Sequence, residues 1–146
     1  MSDVPFNEQV IDLATETKKR GKRSRASAKA AGSRFEQVIA SWLAKRLGSD
    51  FIERRAKNGR NDRGDLSGIK TIRGGRVVAE LKDYGGSLQP STWLKEAEVE
   101  ARNDDAPIGV VIAKRKGTRD PAEQFCLMTV ETFARLLEGG PDELRF

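Results

Sequence analysis

Val77-Val78-Ala79-Glu80-Leu81-Lys82 is an apolar, strand-forming run with one carboxylate and one ammonium set into it. Side chains alternate along a strand, so Glu80 and Lys82 share a face about 7 Å apart, while Val77, Ala79 and Leu81 point to the other. Two charges in such a run destabilise it unless both are engaged. A divalent cation and a phosphate would engage them.

Upstream, Gly64-Asp65 leads into the next candidate strand, residues 66–72, which forms a β-hairpin with residues 76–83 around Gly74-Gly75, a pair suited to positive φ. A two-residue turn there pairs Asp65 with Tyr84 and Ile69 with Glu80. Asp65 is then on the correct face but about four residues along the ladder from Glu80, so a wider turn or a break near Gly68 must close the gap. Further upstream, Ser33 followed by Glu36 makes a capping box. Phe35, Val38, Ile39, Trp42, Leu43 and Leu47 then mark one face of a helix ending at Gly48. Glu36 projects within about 20° of Leu43 and Leu47, on the edge of the buried face.

Downstream, Tyr84-Gly85-Gly86 ends the strand, and residues 91–103 form a helix with Trp93, Leu94 and Ala97 inward and Lys95, Glu96, Glu98, Glu100 and Arg102 largely outward. The unbroken apolar run Ile108–Ala113 predicts a central strand covered on both faces. A strand at 125–130 and a helix at 131–138 close the chain, and residues 51–54 add a short strand before the polar loop 57–64. The order α-β-β-β-α-β-β-α describes an α/β domain, a mixed sheet flanked by helices.

The inventory excludes much chemistry. A chain of 146 residues without a single histidine cannot use a Ser-His-Asp or Cys-His mechanism, an HNH-type site or a His-ligated zinc. A general base must be a carboxylate, a lysine or metal-activated water. The single cysteine, Cys126, rules out an internal disulfide, and its run Phe125-Cys126-Leu127-Met128 predicts a buried small hydrophobe. The absence of a run of about 20 apolar residues and of a leader-type N-terminus predicts a cytoplasmic protein without a membrane partner.

Charge is segregated along the chain. Residues 1–17 hold four acids and no base, whereas 18–34 hold eight bases and no acid. Those bases are Lys18, Lys19, Arg20 and Lys22, then Arg23, Arg25, Lys29 and Arg34. A second cluster, Arg54, Arg55, Lys57, Arg60 and Arg63, leads directly to Asp65. Bases beside an acidic site suit a polyanionic substrate brought to a metal. Residues 21–32 lack an apolar period and read as a linker or a segment that orders on DNA, and Phe6, Val10, Leu13 and Ala14 allow a short helix before it.

Asp65, Glu80 and the Leu81 carbonyl are the candidate ligands of one Mg²⁺ ion, for which Mn²⁺ should substitute; no small-molecule cofactor is expected. Lys82 would orient the attacking water or neutralise charge developing on the phosphate, and Glu36 would hold a metal-associated water or a second ion. The bland alternative is a structural Glu80–Lys82 ion pair worth under about 1 kcal/mol.

Together, Gly32-Ser33-Arg34-Phe35-Glu36, Gly64-Asp65 and Glu80-Leu81-Lys82 resemble the motifs of the PD-(D/E)xK nuclease superfamily, and within it the archaeal-type and phage Holliday junction resolvases. The resemblance runs to about Val130 and departs from the pattern at Gly64, where the family carries proline. It implies a restriction-endonuclease-like domain over residues 33–146 behind an N-terminal extension, 1–32, with Glu36, Asp65, Glu80 and Lys82 as the active site. It further implies a Mg²⁺-dependent, structure-selective endodeoxyribonuclease acting as a homodimer on branched or four-way DNA and leaving 5′-phosphates. A DNA exonuclease or nickase of the same superfamily, a non-catalytic recombination or packaging module, and an RNA-binding basic protein remain open alternatives.

Overall fold

A computed structural model describes residues 23–56 and 61–139. Lys18, Lys19, Arg20, Lys22, Lys57 and Arg60, and the short helix expected around residues 6–14, lie outside the described residues.

Helix formation begins earlier than the capping-box reading places it. Helix α1 spans Arg25–Leu47, and its N-cap is Ser24, whose side chain accepts a hydrogen bond from the Ser27 amide. Ala26-Ser27-Ala28-Lys29-Ala30-Ala31 is rich in alanine, the strongest helix former, and the single Gly32 costs only about 1 kcal/mol in a helix interior. The turn at Ser33 is therefore overridden, Glu36 is a mid-helix residue rather than a capping partner, and the boundary drawn between residues 32 and 33 falls inside α1. Gly48 ends the helix in the left-handed conformation, donating its amide to Ala44 and Lys45 carbonyls. The buried stripe is Ala31, Phe35, Glu36, Ile39 and Ala40. Val38 and Leu47, expected inward, are 45% and 58% exposed.

Five strands follow: β1 (Glu53–Arg54), β2 (Leu66–Ser67), β3 (Val77–Lys82), β4 (Ile108–Ala113) and β5 (Phe125–Leu127). Helix α2 (Pro90–Asn103) crosses between β3 and β4, and α3 (Val130–Glu138) follows β5. A 3-10 turn, Pro121–Glu123, is added to the expected order. The strands lie side by side in sequence order in a mixed sheet, with β3 and β4 parallel and every other pair antiparallel. A parallel pair requires a crossover, and α2 supplies it.

The hairpin register is the detail on which the site depends. Lys70 bridges Arg76, so the turn runs over the residues between them rather than over Gly74-Gly75 alone. Thr71 N–H donates to the Gly75 carbonyl and Gly74 N–H to the Thr71 carbonyl within that turn. Leu66 then faces Ala79. From the bridge to that pair, the first strand advances one residue more than the second, which is a bulge around Gly68. Gly68 has φ +83°, and a Cβ there would run into the Phe51 carbonyl oxygen. Wider turn and bulge together move Asp65 alongside Glu80 and Leu81.

Side chains from β3 and β4 are buried on both faces of the sheet. Phe35, Ile39 and Ala40 of α1 pack on Leu66, Ala79, Leu81, Ile108 and Val110, while Trp93 and Ala97 of α2 pack on Val111 and Ala113. Cys126 corrects the sequence expectation: it is exposed on β5, paired with Ile112 on the face opposite the one where Leu127 packs under α2. Atoms around its sulfur still push the thiol pKa up, the opposite of activation. Among the described residues no helix is long and apolar enough to cross a membrane.

Candidate active site

Asp65 is positioned almost entirely by backbone. Gly64 precedes it at φ +90°, where a Cβ would meet the Val78 side chain and the Ala79 carbonyl, so the chain lies flat against β3. The Asp65 amide donates to Ala79 O at 3.0 Å, and the Asp65 carbonyl accepts from Arg55 N at 2.8 Å. Beyond that pair β2 no longer accompanies β3, which would leave the Leu81 amide bare. Asp65 Oδ2 accepts it at 2.7 Å. Alternation of ladder groups turns the Leu81 carbonyl to the same edge.

Glu80 and Lys82 project from β3 to the α2 side. Lys82 Nζ lies 3.1 Å from Glu80 Oε1 and 2.7 Å from Glu96 Oε2. Glu36 comes from α1, where its Oε2 receives Arg54 Nε at 3.1 Å. All four predicted side chains and Leu81 line one open cleft of about 940 Å³. Glu36, Asp65 and Glu80 are 8, 6 and 9% exposed, unusual for carboxylates.

Such burial has an electrostatic consequence. Desolvation, then the charge of Glu80, raises the Asp65 pKa to about 7. Desolvation, then the neighbouring Glu100 carboxyl, raises Glu80 to about 7 as well. Burial also pushes Glu100 up, with Asp62 and Asp65 adding to the effect. Lys82 moves the other way from a typical buried lysine: burial disfavours its charge, but Glu96 and Glu80 outweigh it and raise the pKa. Lys82 is held as an ammonium, so it can donate and neutralise but not accept a proton.

The α2 carboxylates are residues that the sequence reading placed outward. Glu96 and Glu100 follow Trp93 by three and seven residues, which puts them on the flank of the buried stripe Trp93, Ala97 and Ala101. That flank lies over the polar pair of β3, and the spacing was the available signal. Asp62, from the loop before β2, is the other missed acid. Glu80 Oε2, Glu100 Oε2 and Asp62 Oδ1 are each buried without a hydrogen-bond partner. A proton or a cation must compensate that density of negative charge. Oxygen donors that are hard, buried and unsatisfied fit Mg²⁺ in type. Among the described residues, however, no three acidic or cysteine side chains are gathered into a ready ion-binding group.

The candidate DNA-binding bases divide. Arg23, Lys29, Arg54 and Arg55 line the cleft. Arg55 also grips buried Asp104 through Nη1 and Nη2 at 3.2 and 3.4 Å, as Arg54 holds Glu36. Arg25 and Arg63 are exposed outside the cleft lining, and Arg34 faces away on the opposite flank of α1. Comparison of the chain with family models, with curated proteins and with solved structures finds no match.

Proposed function

We propose that this protein is a Mg²⁺-dependent endodeoxyribonuclease of the PD-(D/E)xK type, with a restriction-endonuclease-like fold and branched DNA as its substrate. The observation that carries the reading is the convergence of Glu36, Asp65, Glu80 and Lys82, from α1, the β2 entrance and β3, on one cleft rimmed by Arg23, Lys29 and Arg54. Asp65, Glu80 and the Leu81 carbonyl would hold the ion, with Glu36 at its margin. A bound Mg²⁺ would lower the pKa of a water and neutralise phosphate charge. Lys82, protonated and held by two carboxylates, would donate to a non-bridging phosphate oxygen and stabilise charge growing there. Arg54 would exchange Glu36 for a substrate phosphate as DNA enters.

A homodimer belongs to the same reading. Its support is the apolar face of α3, where Val130 and Leu137 are 85% and 71% exposed, beside Ile72. A second reading, a DNA-binding module without catalysis, draws on the same ion pairs, because Arg54 occupies Glu36 and Glu96 occupies Lys82.

Labelled four-way junction, duplex and single strand incubated with Mg²⁺ or with EDTA separate the two. The nuclease reading predicts cleavage of the junction with Mg²⁺ alone, lost in Asp65→Asn by at least about 10³-fold while binding persists. No product under any condition leaves the binding module; undiminished cutting by Asp65→Asn removes the site assignment.

A further inference from the structure

A second cavity, of about 460 Å³, lies on the other flank of α1. We propose that it is a second phosphodiester-binding groove, which takes a stretch of nucleic-acid backbone beyond the one at the catalytic cleft. The proposal rests on the nuclease reading for the identity of the polyanion, but not for the existence of the groove.

The two cavities share Arg23 and Asp83, so they adjoin at the start of α1. Helix α1 is the divider: Lys29, Ser33 and Glu36 face the catalytic side, while Ala31, Arg34 and Val38 face the other. The second groove is lined by four bases, Arg23, Arg34, Lys114 and Arg119, against a single acid, Asp83. Asp83 is itself within 3.7 Å of Arg23. Lys114 donates to the Thr118 carbonyl at 2.8 Å, which braces the loop between β4 and β5 and presents Arg119. Arg34 and Arg119 are exposed and have no hydrogen-bond or ion-pair partner among the described residues.

Charge sign and adjacency to the cleft together select the occupant. A helix with its side chains is about 10 Å across, and each strand of a B-form duplex places a phosphate about every 3.4 Å along the duplex axis. A duplex whose axis crosses α1 therefore advances about three phosphates per strand from one groove to the other. An acidic peptide would match the charge of the second groove but gives no reason for its place beside the cleft.

The test uses the full chain in EDTA, so that binding is read without cleavage, with fluorescent duplex DNA as probe and affinity followed from about 50 to about 200 mM salt. Neutralising both free bases, in Arg34→Gln/Arg119→Gln, is expected to lower the slope of log affinity against log salt by about two units. A control neutralising Lys45 and Lys95, exposed bases outside both grooves, is expected to leave the slope within about half a unit. An unchanged slope in the groove variant, or an equal loss in the control, overturns the groove. Thermal midpoints of both variants matching wild type exclude misfolding as the cause. If wild type cuts nothing with Mg²⁺ yet the slope falls as stated, the nuclease reading fails and the groove stands; if it cuts while the slope is unmoved, the reverse holds.

Discussion

Lys82 sits between two carboxylates, and the closer one, Glu96, is a residue that no motif singles out. Glu96 is half-exposed, so its ion pair contributes little to stability, but it sets where the ammonium lies. Glu96→Gln keeps a hydrogen-bond acceptor and removes the charge; turnover is predicted to fall roughly tenfold with little change in DNA affinity. Equal loss of turnover and affinity in a cleavage titration would show Glu96 to be merely structural. Asp65 and Glu80 make a second residue-scale prediction. Each ionises near pH 4 when the chain is unfolded and near pH 7 in the fold. The unfolded chain then binds fewer protons across that interval, so stability is full at the acidic end and declines as pH rises to neutrality and beyond. Without divalent cations the melting temperature should drop between about pH 5 and about pH 8. Asp65→Asn should flatten that drop and Mg²⁺ should reverse it, whereas a rising curve in wild type contradicts the assignment.

At the scale of elements, Gly68 and Gly74 are both left-handed, at φ +83° and +91°, but in different surroundings. Around Gly74 there is open space, so Gly74→Ala should cost only its backbone strain, about 1 kcal/mol. Gly68→Ala adds a collision with the Phe51 backbone and should cost about 3 kcal/mol or more, with the bulge and the placement of Asp65 lost together. Urea unfolding of the two variants checks the difference; equal costs would mean that the bulge does not hold the register. These elements also show what was legible. Element order and the buried run Ile108–Ala113 follow from apolar period alone. The register did not, because a wider turn and a break near Gly68 were equally open as ways to bring Asp65 to Glu80, and the structure uses both. Alanine in residues 26–31 outweighed the Ser33 cap, a matter of summed propensity rather than motif. Glu96 and Glu100 were missed because helical period places a flank correctly but cannot say what lies opposite.

For the whole molecule, the architecture explains why acids and bases coexist so closely. Helix α1 delivers Glu36 from one layer, α2 delivers Glu96 and Glu100 from the other, and the sheet carries Asp65, Glu80 and Lys82 between them. Negative charge is thereby concentrated in a buried centre while bases rim it. Exposed apolar side chains on α3 make a separate whole-molecule prediction. Val130→Asp/Leu137→Asp should shift a dimer to monomer in analytical ultracentrifugation without lowering the thermal midpoint of the monomer. A wild-type chain that sediments as a monomer at all concentrations would sink the dimer.

On the proposed reading Asp65, Glu80 and the Leu81 carbonyl would surround one divalent ion. Anomalous diffraction from a crystal soaked in Mn²⁺ tests it most directly. The account predicts one peak within about 2.5 Å of an oxygen from each of those three residues, absent in Asp65→Asn. Clean density for all three with no peak between them, at saturating Mn²⁺, would contradict it.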